Sequence, residues 1–294
     1  MSQQAFTGTG VAIITPFRED GSVDFKSLEK LLQHLTGNQV DYIVALGTTG
    51  ESVTLSKDEK KAIVSFVLDV INKKIPVVVG IGGNNTQDVI NSVNSYDFDG
   101  IDAVLSVAPY YNKPSQRGLF LHFRSVAEVS PVPVIIYNVP GRTGSNISAE
   151  TTVKLAKEIK NIVAIKEASG DMSQIMHILK NKPKNFQVLS GDDMLTLPIL
   201  NLGGSGVISV ISNAYPKEFS DMVRYALAGE IAKACDLHYK MLDMIKAIFA
   251  EGSPSGIKAV LDIMGISQNH LRLPLIPVSE EHYHKIALLV KKIH

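Results

Sequence analysis

Short runs of apolar, mostly β-branched residues recur along the chain, and each is short enough to be a strand. Between these runs lie segments with apolar residues at helical spacing, such as 28–35 and 63–70, and Ser56 with Glu59 forms a capping box before the second segment. The runs are Val11–Thr15, Tyr42–Leu46, Val77–Ile81, Ala103–Ala108, Val134–Asn138, Ile162–Lys166, Gln187–Ser190 and Val207–Ile211. Strands that alternate with helices pair in parallel through right-handed crossovers. The pattern predicts an α/β fold, a closed (β/α)8 TIM barrel over residues 1–225, with an open doubly wound sheet as the alternative.

The rest of the chain, residues 226–294, contains no strand candidate and is predicted to be a helical domain appended to the barrel. A long helix is predicted over Glu230–Ala250, another is expected to begin at Pro254, and a last one at about Glu280. The long helix carries an apolar stripe that we interpret as core or as a subunit contact. The stripe consists of Met241, Met244, Ile245, Ile248 and Phe249.

Composition and charge exclude several classes of function. Lys plus Arg and Asp plus Glu both number 29, so the chain lacks the basic excess typical of nucleic-acid binders. The first residues form neither a cationic nor an apolar signal region, and no apolar stretch is long enough to span a bilayer. The one cysteine, Cys235, excludes an intrachain disulfide. We therefore expect a cytoplasmic globular protein that binds neither nucleic acid nor membrane.

Lys166 stands inside a run that otherwise reads as a buried parallel strand. A two-residue repeat would place it on the same face as Ile162, Ala164 and Ala168, and the two alanines leave room for a small molecule beside the amine. Desolvation disfavours the charged form and lowers the pKa of a lysine, and a neutral amine can attack a carbonyl. The alternative is a lysine at a strand end whose ammonium reaches solvent.

Other polar side chains follow the predicted strands, at the barrel face where active sites occur. Thr48 and Thr49 after the second strand are either turn residues or donors to a carboxylate. Tyr137 shares strand parity with Ile135, so it points into the barrel if Ile135 does, and its hydroxyl could move protons near an imine. Arg142, in a loop that contains glycine, is either a surface cation or a bidentate carboxylate ligand. Tyr110 and Tyr111 are packing aromatics or interface anchors.

The remaining motifs give weaker indications of function. The glycine-rich segment 203–206 precedes the eighth strand, so we interpret it as a turn on the opposite face, and segment 80–85 lacks a nucleotide fingerprint. His282 and His284 fall in the final helix and are expected to be exposed. No histidine and carboxylate pattern at the strand ends suggests a metal site, so no metal and no cofactor is predicted.

Four segments together resemble the dihydrodipicolinate synthase family, class I pyruvate-dependent lyases built on a (β/α)8 barrel. They are Gly47-Thr48-Thr49-Gly50-Glu51, Pro109-Tyr110-Tyr111-Asn112, Tyr137-Asn138-Val139-Pro140-Gly141-Arg142-Thr143 and Ile165-Lys166-Glu167-Ala168. The resemblance covers essentially the whole chain. It implies condensation of pyruvate with L-aspartate 4-semialdehyde through a lysine Schiff base, the first committed step of the diaminopimelate and lysine pathway.

The resemblance also implies a role for each matching residue. Lys166 corresponds to the Schiff-base lysine and Tyr137 to the acid/base residue, while Thr48, Tyr111 and Tyr137 correspond to a proton relay to which a neighbouring subunit contributes Tyr111. Thr49 corresponds to the ligand of the pyruvate carboxylate. Arg142 corresponds to the ligand of the semialdehyde carboxylate, and Ile208 to the position whose backbone carbonyl faces pyruvate. A homotetramer, built as a dimer of dimers, is implied as well.

Two alternatives to this function remain at this point. Sister enzymes such as N-acetylneuraminate lyase and sugar-acid aldolases share the barrel and the lysine, but the sialic-acid branch usually has serine in place of Thr48 and lacks an arginine like Arg142. A non-catalytic barrel that only binds a small carboxylate is the second alternative.

A lysine effector site is the last expectation that the resemblance carries. In feedback-sensitive members the effector binds near positions that match Ser52, Asn84, Asp88 and Tyr110. Positions that match effector-contacting histidines in some members are here Lys57 and Lys60. Because cations beside a cationic ligand cost affinity, weak or absent inhibition by L-lysine is predicted.

Overall fold

Eight parallel strands close into a barrel in the computed structural model, which describes residues 6–293. Each strand pairs with its neighbours in chain order, and β1 pairs with β8, so the predicted closed barrel is confirmed and the open sheet is excluded. The strands are β1 Gly8–Ala12, β2 Tyr42–Ala45, β3 Val77–Gly80, β4 Ala103–Val107, β5 Val134–Asn138, β6 Ile162–Glu167, β7 Gln187–Ser190 and β8 Gly206–Ser209.

Helices surround the barrel and continue beyond its last strand. The capping box of Ser56 and Glu59 is present at the start of the second helix, as the sequence predicts. The helices are α1 Phe25–Gly37, α2 Lys57–Ile71, α3 Thr86–Asn94, α4 Gln116–Val129, α5 Pro140–Thr143, α6 Ala149–Glu158, α7 Met172–Asn181, α8 Thr196–Asn201, α9 Pro216–Leu227, α10 Ile231–Phe249, α11 Ser255–Ile263 and α12 Glu280–Ile293. Short 3₁₀ turns occupy Thr48–Gly50, Ser52–Thr54 and Ile211–Asn213.

The strands are buried on both faces, which explains their nearly continuous apolar sequences. An inner cluster fills the barrel and includes Tyr42, Ile135 and Tyr137. A larger outer cluster packs between the strands and the helices. Since Ile135 and Tyr137 both belong to the inner cluster, the parity prediction for Tyr137 is confirmed.

The first strand begins earlier than its apolar run predicts, at Gly8 instead of Val11. Its start is rich in glycine and threonine, so hydrophobicity alone does not mark it. A Cβ atom at Gly10 would lie 2.1 Å from the ring of Tyr42, so only glycine lets this ring occupy the barrel interior. The apolar residues Ile13 and Ile14 are buried, but they follow the strand.

The predicted alternation along β6 is wrong at one residue. Val134 pairs with Ile162, and the next residue of β5, Ile135, pairs with Ala164, so Val163 is an extra residue. Ile162 consequently lies in the outer cluster, whereas Ala164 lies inside the barrel. A β-bulge causes this change of face, because it shifts the register by one residue.

The C-terminal helices agree with the predicted ones. The residues Met241, Met244, Ile245 and Ile248 of the α10 stripe are buried, and Phe249 is partly exposed. His282 is buried, contrary to the prediction, because its ring nitrogen Nε2 lies 2.8 Å from the carbonyl oxygen of Ala247 on α10, while His284 is exposed. The predicted boundary at residue 225 falls inside α9, and the division into two domains stays a prediction. None of the described helices is long and apolar enough to cross a membrane.

A buried ion pair attaches the C-terminal helices to the loop after β2. Lys258 on α11 lies 2.5 Å from Glu51, and both side chains are fully buried. The Lys258 ammonium also donates to the carbonyl of His270 and lies over the Phe17 ring. Arg272 donates its backbone N–H to the other oxygen of Glu51 and pairs with Glu59 through its guanidinium. The loop that carries Thr48 and Thr49 is therefore held from the C-terminal side.

Removing one partner of this pair is predicted to be far more damaging than removing a surface ion pair. Lys258→Met leaves the buried Glu51 carboxylate without its ion-pair partner, so the free energy of unfolding should fall by about 3–5 kcal/mol. The matched control Lys73→Met breaks the exposed pair with Asp99 and should cost about 0–1 kcal/mol. Urea unfolding followed by circular dichroism measures both. An equal loss in the two variants would contradict the structural role assigned to the buried pair.

Candidate active site

Lys166 and Tyr137 lie side by side inside the barrel, near the C-terminal ends of β6 and β5. The two residues are direct partners in the β5–β6 register. The Lys166 ammonium nitrogen lies 4.4 Å from the centroid of the Tyr137 ring, and the lysine side chain is 5% exposed. This distance is typical of a cation–π contact. The lysine does not reach bulk solvent, so the surface alternative for Lys166 is excluded.

Small residues leave space around the lysine. Ala164 on β6 belongs to the inner cluster, and Ala168, just after this strand, packs against it, as predicted. Gly191, just after β7, contributes as well, because a Cβ atom there would lie 3.1 Å from Cε of Lys166 and 2.7 Å from Cβ of Ala168. A larger residue at 191 would press on the lysine side chain, so this glycine leaves room for that side chain.

Burial dominates the charge state of the amine. Desolvation lowers the pKa of Lys166 from 10.5 to about 8; the Asp193 carboxylate opposes this change, and the Arg142 guanidinium adds to it. With a pKa of about 8, roughly one-tenth of the amine is neutral at pH 7, against a negligible fraction for an ordinary lysine. The site therefore supplies a nucleophilic amine close to neutral pH.

Asp193 is the counter-charge of this amine. It is buried, and its carboxylate accepts hydrogen bonds from the backbone N–H groups of Val210 (3.0 Å) and Ile211 (2.8 Å). Burial raises the pKa of Asp193 to about 6, and these hydrogen bonds, with one from Ser209, oppose the rise. Asp193 is thus mostly ionised at pH 7, and its charge partly offsets the lowering of the Lys166 pKa by desolvation.

The loop after β2 has an unusual backbone at both ends. Leu46 and Glu51, neither of them glycine, have positive φ angles of 56° and 51°. Between them Thr48–Gly50 forms a 3₁₀ turn, and the Thr15 hydroxyl donates to the carbonyl of Gly50. Thr49 is buried, whereas Thr48 is exposed at the barrel mouth. Such backbone conformations persist only where the surroundings impose them, which for Glu51 is its buried pair with Lys258.

The pKa of the Tyr137 phenol depends on residues of two neighbouring segments, the turn after β2 and α5. Burial raises the pKa of its phenol, while the Arg142 charge and hydrogen bonding to the Thr48 side chain lower it. Arg142 lies in the short helix α5 and is exposed at the mouth. The three residues border one cavity of about 990 Å³. Ile208 belongs to the inner cluster of the barrel.

Tyr111 projects away from its own barrel. It is 88% exposed, and its φ angle is positive, at 68°. The N–H of Asn112 donates to the carbonyl of Tyr110 across it, which forms a γ-turn of the rare, strained kind. The Tyr111 N–H donates to the Thr143 carbonyl in the connection between β5 and α6, residues 139–148, which contains α5 and which we call the Arg142 loop. Tyr111 thus stands near the mouth without packing against this chain.

Three of the four residues predicted for an effector site border the same cavity. Ser52, Asp88 and Tyr110 border it, together with Lys57 and Lys60. Asn84 does not border the cavity but accepts the N–H of Tyr110. Burial lowers the pKa of the half-buried Lys60. Lys57 and Lys60 therefore border the same cavity as three of the residues predicted for an effector site.

Sequence reasoning assigned no role to several residues that the structure connects to the site. Asp193 follows β7, a strand end that the polar motifs did not single out, and reading all eight strand ends would have found it. Glu51 and Glu167 lie within the motifs that carry the resemblance, but their partners lie on other elements. Lys258 is on α11, far from Glu51 in sequence, and Gln174 is on the next helix after Glu167, α7. Over residues 6–293, no group of three or more His, Cys, Asp or Glu side chains is arranged to hold a metal ion.

Comparison with known proteins agrees with this geometry. A sequence profile of the Dihydrodipicolinate synthetase family matches residues 5–293. A 4-hydroxy-tetrahydrodipicolinate synthase from Flavobacterium psychrophilum is 51% identical over 290 residues, which cover 99% of either chain.

Solved structures also match along nearly the whole chain. The dihydrodipicolinate synthase from Thermotoga maritima superposes with a TM-score of 0.96 at 40% identity, covering 98% of this chain and 99% of that one. A chloride-inhibited dihydrodipicolinate synthase from Acinetobacter baumannii, complexed with pyruvate, gives a TM-score of 0.95 at 40% identity and covers 98% of both chains. The chain belongs to the dihydrodipicolinate synthetase family.

Proposed function

We propose that the chain condenses pyruvate with L-aspartate 4-semialdehyde through a Schiff base on Lys166, the reaction of a 4-hydroxy-tetrahydrodipicolinate synthase. Membership of the family makes the chain an enzyme of the lyase type. The observation that carries the mechanism is the buried amine of Lys166, with its pKa lowered to about 8 and the Tyr137 ring 4.4 Å away. Attack on a keto acid requires a neutral amine that the substrate can reach.

The proposed reaction begins with attack of the Lys166 amine on the pyruvate carbonyl. Loss of water from the carbinolamine gives a cationic iminium, which withdraws electrons from the pyruvate methyl group. Loss of a methyl proton leaves an enamine, and its carbon attacks the aldehyde of the second substrate. The amino group of that substrate then adds to the iminium carbon and displaces the amine of Lys166, which closes the ring and frees the lysine.

Each of these steps moves a proton, and we assign the transfers to Tyr137 and Thr48. A phenol beside the imine can donate a proton to the leaving hydroxyl and later accept one, which typically contributes about 10²–10⁴-fold in rate. Support comes from the interaction between Thr48 and Tyr137, which lowers the pKa of the phenol. We propose that Tyr111 of a neighbouring subunit completes the relay, since in its own chain this residue is exposed.

We assign the substrate carboxylates to two different groups. The pyruvate carboxylate is proposed to bind Thr49, which is buried in the turn after β2. The carbonyl of Ile208 is proposed to face the bound pyruvate, since Ile208 belongs to the inner cluster of the barrel. Arg142 is proposed to bind the carboxylate of the semialdehyde at the rim, where its guanidinium can form two parallel hydrogen bonds. A cationic group at the rim also favours entry of anionic substrates.

We further propose a homotetramer, built as a dimer of dimers, that works in the cytoplasm. An isolated subunit would leave Tyr111 and the exposed apolar side chains of Val53, Leu273 and Ile276 in water. Val53 and Tyr111 both follow strands at the C-terminal end of the barrel, so an interface there would bring the relay residue to a second active site.

Borohydride reduction in the presence of pyruvate tests the central step. We expect the protein mass to rise by one reduced pyruvate, located on the peptide that contains Lys166, because reduction fixes an imine as a stable amine. The Lys166→Ala variant should form no adduct. An unchanged mass after borohydride treatment, with the fold intact by circular dichroism, would refute the proposed mechanism and leave the non-catalytic carboxylate-binding barrel as the remaining hypothesis.

A substrate test separates the synthase from N-acetylneuraminate lyase. We expect turnover of pyruvate with L-aspartate 4-semialdehyde and none with N-acetylmannosamine.

The cations at Lys57 and Lys60 predict that L-lysine is a poor inhibitor. The inhibition constant should lie above about 1 mM, because the ammonium groups of Lys57 and Lys60 are among those that border the cavity that the effector would enter. The double variant Lys57→His, Lys60→His should be inhibited at lower concentration at pH 8, where histidines are mostly neutral. As a control, Lys74→His alters a lysine outside this cavity. Half-inhibition of the unmodified enzyme below 1 mM would contradict the prediction.

A further inference from the structure

The outer faces of β5 and β6 carry a polar pair directly behind Tyr137 and Lys166. In the strand register, Tyr137 pairs with Lys166, and the next residues, Asn138 and Glu167, pair with each other. Successive side chains of a strand point to opposite faces, so Asn138 and Glu167 point away from the barrel interior. Both are fully buried. Whatever fixes this outer pair also fixes the backbone that carries the inner pair.

The carboxylate of Glu167 accepts hydrogen bonds from three residues on three different segments. The Asn138 amide Nδ2 lies 3.2 and 3.1 Å from its two oxygens, the Ser169 N–H lies 2.7 Å from Oε1, and Gln174 Nε2 on α7 lies 3.1 Å from Oε2. Each of these donors is a neutral N–H group. Burying a carboxylate is costly unless hydrogen bonds replace its hydration. Burial raises the pKa of Glu167, and these hydrogen bonds oppose the rise.

Glu167 also determines which way the Asn138 amide faces. A carboxylate only accepts, so the amide nitrogen must point towards Glu167 and the amide oxygen away from it. That oxygen accepts the backbone N–H of Ile147 at 2.9 Å, and the nitrogen also donates to Oδ1 of Asn146 at 2.8 Å. Asn146 and Ile147 lie between α5, which carries Arg142, and α6, near the end of the Arg142 loop. The network therefore contacts, from outside the barrel, the backbone segments that carry Lys166, Tyr137 and Arg142.

We infer that Glu167 is a positioning residue that, through Asn138, holds Lys166, Tyr137 and the Arg142 loop in their relative orientation. The inference rests on the proposed function, because it requires Lys166 and Tyr137 to act together. Glu167 touches neither the cavity nor the reacting atoms, so its effect is geometric. Displacement of a reacting group by about 1 Å can reduce a rate by about 10²-fold.

The test is Glu167→Gln, which keeps the shape but turns one acceptor into a donor. The new amide group then faces an N–H donor, so Asn138 must rotate and lose Ile147, or one donor must stay unpaired. We expect imine formation with saturating pyruvate, trapped by borohydride and followed by mass spectrometry, to slow about 10- to 100-fold. The KM for pyruvate should change much less.

A second substitution distinguishes positioning from a loss of stability. Adding Asn138→Asp to Glu167→Gln exchanges donor and acceptor, and the new carboxylate still accepts the Ile147 N–H, while the exposed Asn146 can turn its amide to match. We expect the double variant to recover most of the trapping rate, although Asn138→Asp alone should be as slow as Glu167→Gln. Asp102→Asn is the matched control, because Asp102 accepts the Val77 N–H at the opposite end of the strands.

A lowered melting temperature with an unchanged trapping rate in Glu167→Gln would overturn the inference, and so would failure of the double variant to recover. Both outcomes leave the proposed function intact, whereas the absence of any adduct in the unmodified protein refutes that function.

A crystal structure of Glu167→Gln tests the inference independently of any activity measurement. We expect the 4.4 Å distance between Lys166 Nζ and the Tyr137 ring to change by about 0.5 Å or more. If Glu167→Gln does not fold, Gln174→Met removes a single donor and should slow trapping by a smaller factor.

Discussion

The removal of one ammonium group from water is the constraint on which the site depends. Lys166 lies within the barrel, where its surroundings are apolar side chains, a tyrosine ring and one buried carboxylate. Desolvation lowers the pKa of the amine far enough for a useful neutral fraction, and Asp193 keeps that change moderate. A lysine with the same neighbours at the surface would stay charged. The closed barrel is therefore part of the chemistry as well as its support.

The barrel mouth is held together from outside the site. Behind β5 and β6, Glu167 and Asn138 connect the strands to α7 and to the Arg142 loop. Beside β2, the Glu51–Lys258 pair connects the Thr48 loop to the C-terminal helices. Glu167 and the Glu51–Lys258 pair are buried charges with specific partners, and removing a partner leaves a charge without that compensation. This arrangement explains why residues that meet no substrate occur inside the sequence motifs that mark the family.

Most of the barrel could be predicted because its strands are buried on both faces and its helices are amphipathic. The direction of Tyr137 followed from simple parity with Ile135. Parity failed at Ile162, since a bulge depends on how two strands fit and not on either strand alone. The burial of His282 could not be predicted from its own helix, because the carbonyl of Ala247 that lies beside it comes from another helix. Asp193, Lys258 and Gln174 reach the site or its supports only through the fold, so local sequence could not assign them.

The most direct measurement of the central claim is the titration of Lys166 itself. Protein labelled with ¹³C at the lysine ε-carbon, assigned by loss of one signal in Lys166→Ala, reports the charge of this amine by NMR as pH rises. The amine should be protonated below and neutral above a midpoint of about 8, and Asp193→Asn should lower that midpoint further, because the carboxylate favours the charged form. A midpoint at the ordinary lysine value of 10.5 would show that the barrel does not desolvate the amine, and would contradict the account.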